Sequence, residues 1–226
     1  MSNDRLSRWM GPIGLGSVVA FVIGFVILGG TNPPGKNAPA LTVVTYYTDH
    51  GTRQTWSLYI VAAGVLLAAV FVGGLRTMLR KANESHSWLA DTAFAGGILF
   101  IGGFATAGFL QWTLISAARN SQLTLAANLN FLSQSIMLPA QAGLVVLAAA
   151  AGLAILLGSD IPAWLGYLAL AIGVVSAIGP IGIIAILATP VWMTLFGFVV
   201  GAKTASHAVG ERRTTMGHRM TLRHHH

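Results

Sequence analysis

The sequence predicts an all-α fold, a polytopic transmembrane helix bundle of six spans with both termini cytoplasmic, and three observations predict it. Only 13 Lys/Arg and 6 Asp/Glu occur among 226 residues, while 54% are hydrophobic, too few charges to clothe a water-facing surface. Uncharged runs recur at the length of roughly 20 residues that crosses about 30 Å of hydrocarbon. Basic residues gather on alternate connections. Residues 1–10, 76–88, 158–163 and 203–226 carry Arg5, Arg8, Arg76, Arg80, Lys81, Lys203, Arg212, Arg213, Arg219 and Arg223; only Lys36, Arg53 and Arg119 remain for the other side. That asymmetry follows the positive-inside tendency of an inner-membrane protein with an even number of spans.

The first span, 11–30, follows Arg5 and Arg8 as the core of a signal peptide would. Its length and the turn residues Gly29-Gly30-Thr31-Asn32-Pro33-Pro34 instead read as an anchor and its exit. Spans two to four are expected at 56–78, 89–117 and 136–157. Residues 164–202 are nearly uncharged and too long for one ordinary helix, with Gly179-Pro180 and Thr189-Pro190 as the internal breakers. A division near Ala188–Pro190 gives spans at 164–184 and 188–203 and leaves the tail cytoplasmic. Trp9, Trp56, Trp88, Trp112, Trp164 and Trp192 fall near the expected ends, as interfacial aromatics do. The single domain is thus 1–203. A basic polar tail, 204–226, is expected to be mobile, and its His224, His225 and His226 read as the start of an expression tag.

Several chemistries are excluded by what is missing. There is no cysteine, hence no thiol nucleophile, thiolate metal site or dithiol exchange. His50 is external and His86, His207 and His218 are cytoplasmic, so no span offers the facing pair a haem needs. Only Asp49 and His50 are neighbours, short of a zinc or di-iron ligand set. No phosphate-cradling loop and no Gly-x-Ser-x-Gly elbow appear. Neither metal nor cofactor is expected. The net charge of +7 serves orientation, so nucleic acid is not an expected partner, whereas membrane lipid is. Channel and transporter readings lack an acidic ring and an internal repeat.

Small residues recur at Gly64 and Ala68, at Gly96, Gly103 and Ala107, and at Gly173 and Ala177. They let helices approach closely within one bundle, or form a homo-oligomeric or larger-complex interface. Polar residues inside the spans are fewer and more telling, because each is unfavourable in lipid and turns toward the bundle or a cavity. Gln111 lies about 12 Å along its helix from Arg119, and Gln141 lies a similar distance into span four. The two are expected to meet in the outer half. If span four begins early, Asn130, Gln134 and Gln141 share one face, with Pro139 loosening the backbone beside them.

The stretch Tyr46-Tyr47-Thr48-Asp49-His50-Gly51-Thr52-Arg53-Gln54 is read as an outer loop before span two. It holds a carboxylate, an imidazole, a guanidinium and two phenols, enough for acid–base work with an anion clamp. It also allows a plain Asp49–Arg53 pair on a helical turn, with Tyr46 and Tyr47 as interface anchors. Tyr46-Tyr47-Thr48-Asp49-His50, Asn128-Leu129-Asn130-Phe131 and Pro162-Ala163-Trp164-Leu165-Gly166-Tyr167 carry a resemblance. On these segments the chain resembles a loose group of uncharacterised six-span membrane proteins of high-GC actinobacteria over most of residues 10–202. The resemblance implies the architecture and an actinobacterial origin, and the group has no assigned activity.

The leading expectation is a bundle that binds a hydrophobic or amphipathic small molecule in a cavity open to the outer leaflet. Gln111, Asn130, Gln134 and Gln141 would line it and Tyr46 and Tyr47 would cap it. A rival is a cofactor-independent enzyme, a cyclase, isomerase or epoxide-opening catalyst acting on a lipid, isoprenoid- or polyketide-like substrate. There Asp49 or His50 would be the acid/base, with Tyr47 and Arg53 stabilising charge. A third reading is an accessory subunit of a membrane complex.

Overall fold

The computed structural model describes residues 3–28, 32–178 and 182–222, and among them every regular element is a helix. Helix α1 (Asn3–Phe21) continues as a π-helical stretch, Val22–Leu28. Helices α2 (Ala40–Ala82) and α3 (Ser87–Arg119) are joined by the 3₁₀ turn Glu84–His86. Helices α4 (Leu123–Ser135), α5 (Met137–Leu156), α6 (Ala163–Ala177) and α7 (Gly182–Leu222) follow. Five segments are long and apolar enough to cross a membrane, namely Trp9–Val26, Ala40–Ala82, Glu84–Arg119, Leu123–Leu156 and Ile184–Lys203, while α6 is apolar but shorter. This is the make-up of a multi-pass membrane protein.

The helices pack as two unequal cores. The larger one joins α1, α2, α3, α5, α6 and α7 around Met10, Phe71, Leu75, Leu144, Leu165 and Phe196. It is drawn tight by small residues. A Cβ on Gly96 or Gly143 would strike the backbone of the facing helix, and one on Gly103 would stand 2.7 Å from the Ala140 nitrogen. Gly64 meets Ala20 and Phe21, and Gly173 meets Ala148, so these stripes face the chain's own helices. The smaller core lies at one end, where the start of α2, the end of α3 and α4 enclose Val43, Val44, Tyr47, Leu114, Ile115 and Ala126.

The opposite end carries the charges. Arg76 Nε donates to Asp91 at 2.8 Å and Arg80 stands 3.5 Å from the same carboxylate. Asn83 caps the α2–α3 turn by accepting from the His86 N–H at 3.2 Å, and its amide donates to the Ala154 and Leu157 carbonyls at 3.4 and 3.2 Å. Lys203 donates to the Asp160 carbonyl. The α2–α3 turn, the α5–α6 turn and Lys203 therefore share one end. Trp9, Trp88 and Trp164 are exposed near it, whereas Trp56, Tyr59 and Trp112 form an exposed aromatic cluster toward the other. From Trp88 to Trp112 along α3 is about 36 Å, close to a hydrocarbon core of about 30 Å plus the headgroup edge where such rings settle.

Four expectations are corrected here. Tyr46–Gln54 is not a loop but part of α2, which begins after Pro39 and reaches about 24 Å beyond Trp56 before that proline stops it. Buried Val43, Tyr47, Gly51, Gln54 and Ser57 follow the helical period, and no proline interrupts them. The span expected at 136–157 is preceded by a separate helix, α4, broken from α5 at Ile136. Pro139 lacks the N–H that Ser135 would have received, so the ladder cannot run through. The last two helices divide between Ile178 and Gly182 rather than at Ala188–Pro190; Gly179-Pro180, like the exit turn at Gly29–Thr31, lies outside the described residues. Pro190 stays inside α7, where the Thr189 and Thr194 hydroxyls donate to the Ala185 and Pro190 carbonyls at 2.7 and 2.9 Å in the loosened turn. Trp192 is consequently well inside a helix, 3% exposed, and donates to the Leu165 carbonyl at 3.0 Å instead of marking an interface. Helix α7 runs as far as Leu222, and no proline follows Pro190 to interrupt it.

Candidate functional site

A cavity of about 490 Å³ lies where the π-helical stretch, the turn at Pro33–Gly35, and helices α2, α3 and α4 meet. The π-helical stretch is wide enough to bring Gly24 against α2. Its carbonyl accepts from the Ser57 hydroxyl at 2.8 Å, and a side chain at Gly24 would collide with Val61. This contact leaves Phe25 at the rim, where it packs edge-on against Phe104 with ring centroids 6.2 Å apart. Leu58, Val61, Phe104 and Ala107 complete the apolar side.

The polar side is uncharged. Tyr47, 3% exposed, and Gln111 meet across α2 and α3, with the Gln111 amide donating to the phenol oxygen at 3.0 Å. Gln54, buried one face-period further along α2, donates to the Tyr46 phenol oxygen at 3.3 Å. The Tyr46 ring in turn stands edge-on to Tyr47 and stacks on His50. On α4, Gln134 donates to the Pro34 carbonyl at 2.9 Å and to Asn130 Oδ1 at 3.2 Å, while the Asn130 amide donates to the Gly35 carbonyl at 3.0 Å. These two amides fasten the Pro33–Gly35 turn over the cavity mouth. The Ala38 N–H donates to the Gly35 carbonyl at 3.0 Å, closing the turn through Lys36 and Asn37.

Of the residues expected to bind a ligand, Tyr47, Gln111 and Gln134 line the cavity. Asn130 holds the turn from behind, and Tyr46 supports Gln54 and Tyr47 from outside the lining. Gln141 is elsewhere. The Ser176 hydroxyl donates to its carbonyl at 3.3 Å, and a Cβ on Gly182 would sit 2.7 Å from its amide nitrogen, which places it in the corner of α5, α6 and α7. It meets neither Gln111 nor the Asn130 face, because the break at Ile136 separates the registers of α4 and α5.

The residues expected to catalyse do not converge. Tyr47 faces the cavity, whereas Asp49 and Arg53 are exposed on the other side of α2. His50 Nδ1 donates to the Tyr46 carbonyl at 3.0 Å, which fixes its tautomer and turns the ring away from the lining. Helical geometry enforces the split, since residues two apart on a helix point to different faces. Among the described residues no three His, Asp or Glu side chains gather as a metal set.

Ser57, Ser133, Phe25, Phe104 and Gly108 line the cavity without having been singled out by sequence. The helical recurrence of Tyr47, Gln54 and Gln111's neighbour Ala107 was the available signal for the deep wall; nothing local marked the rim. No protein family, curated protein or solved structure matches the chain.

Proposed function

We propose that the chain is a six-span protein of the cell's inner membrane, with both termini cytoplasmic, which binds a hydrophobic or amphipathic small molecule in the cavity between α2, α3 and α4. One observation carries the binding reading. A cavity of about 490 Å³, within the range of about 300–1,000 Å³ usual for small-molecule sites, joins an apolar wall to convergent uncharged polar groups beside the Trp56–Trp112 aromatic cluster. The cavity lies in the half of the bundle away from Arg76, Arg80 and Lys203. With the basic end inside, it opens toward the outer leaflet. Catalysis is the weaker reading, because Asp49 and Arg53 stand apart from Tyr47.

Mass spectrometry of apolar molecules that co-purify with the chain tests the binding reading, with Gly108→Leu as the comparison. Nothing lies within 4 Å of a Cβ at Gly108, and the residue lines the cavity, so a leucine there fills it without breaking a helix contact. A species retained by the parent chain and lost from Gly108→Leu is expected; identical extracts from both would remove the reading. Orientation is tested by thiol labelling. The chain has no cysteine, so Asn37→Cys and Ser85→Cys each supply one exposed thiol. Asn37→Cys should react from the periplasmic side only and Ser85→Cys only after the cytoplasmic side is opened.

A further inference from the structure

Resting on the reading of the cavity as a ligand site, we infer that its occupant is an uncharged amphiphile whose head bears a hydrogen-bond acceptor, a carbonyl or ether oxygen, received by the Tyr47–Gln111 pair. A phenol and a carboxamide in contact use one hydrogen between them and keep others. With Gln111 Nε2 donating to Tyr47 Oη at 3.0 Å, the phenolic hydrogen is left over. With the amide turned over, the phenol donates to Oε1 and both amide hydrogens are left over. Either way the pair presents a donor to the cavity it lines. Buried donors find acceptors, and an oxygen on the occupant is the group positioned to supply one.

Charge narrows the head further. Among the described residues that line the cavity there is no Lys, Arg, His, Asp or Glu. A carboxylate or ammonium would lose its water there and meet no counter-charge, which is strongly unfavourable. A neutral carbonyl or ether loses far less.

The tail follows from the placement of the two walls. Gln111 is next to Trp112 at the level of the aromatic cluster, and Phe104 lies about 10 Å further down α3. The donor pair is thus level with the headgroup edge and the apolar wall with the hydrocarbon. At ~30 Å³ for a water-sized group, 490 Å³ holds about 16 such groups, a short apolar chain with its head.

The test uses the full chain in nanodiscs holding equal mole fractions of three probes of about 16 heavy atoms. These are a long-chain methyl ketone, the matching alkane and the matching carboxylate, with retained probe read by native mass spectrometry. The ketone is expected to be retained about three- to tenfold over the alkane, the worth of one neutral hydrogen bond, and the carboxylate not above background. The shape-conserving double variant Tyr47→Phe with Gln111→Met should bring the ketone-to-alkane ratio down to about one. Equal retention of ketone and alkane, retention of the carboxylate, or a ketone preference that survives the double variant would overturn the inference while leaving the cavity reading intact. Retention of none of the three, or retention indifferent to Gly108→Leu, would sink the cavity reading itself. The ketone-to-alkane ratio of the parent chain decides the matter even where the double variant does not fold.

Discussion

Helix α3 behaves in two ways along its length. From Gly96 to Gly103 it lies on α5 so closely that a single added methyl would meet backbone. From Phe104 to Gln111 it stands off from α2 and α4, and the gap is bridged by side chains and leaves the cavity. Composition explains the difference. Glycine and alanine on both partners let the backbones touch and dispersion close the seam, whereas phenylalanine, tyrosine and two amides hold the helices apart and link them at hydrogen-bond distance. One half of the bundle is built for cohesion, the other for keeping space.

The sharpest way to break that contrast is to put a methyl where none fits. Gly143→Ala should destabilise the protein by about 3 kcal/mol, because its Cβ meets the Phe100 backbone rather than a movable side chain; unfolding in detergent followed by circular dichroism measures it. Next comes Asn83→Ala. It removes the cap on the α2–α3 turn together with two bonds to the end of α5, and should lower stability by about 1–2 kcal/mol in the same assay. Gln134→Ala frees the Pro34 carbonyl and should weaken the mouth by about 1 kcal/mol, seen as faster hydrogen exchange in residues 35–39 with the α3–α5 seam unaffected. Gly108→Ala goes the other way. In open space a methyl should stabilise the helix by about 0.5–1 kcal/mol, and if it harmed the protein as Gly143→Ala does, the contrast between the two stretches would fall. Asp91→Asn should have the smallest effect, since its pair with Arg76 is largely solvated, and raising salt should erase what remains.

The sequence made the apolar helices legible because spanning length and charge placement are properties of whole segments. It misjudged where helices begin and end. Tyr46–Gln54 looked like a loop because it is polar, yet its buried members recur at the helical period, and that periodicity outweighs polarity when the segment packs on neighbours. Gln111 and Gln134 could be singled out because an amide in a span needs a partner, but the partner could not be named. Tyr47 lies 64 residues from Gln111, and the Pro34 carbonyl 100 from Gln134. Gln141 was misplaced for a related reason. Sequence spacing carries a face from one residue to the next only while the helix is continuous, and Pro139 ends that continuity.

The uncharged lining has a consequence for how the cavity answers its surroundings. Membrane potential acts on charge, ionic strength screens charge, and pH acts through imidazoles and carboxylates. Among the described residues that line this cavity there is no Lys, Arg, His, Asp or Glu for any of the three to grip. On the proposed binding reading, its filling would follow how much of the occupant is dissolved in the surrounding leaflet, and the site would gauge membrane composition and not the cell's energetic state.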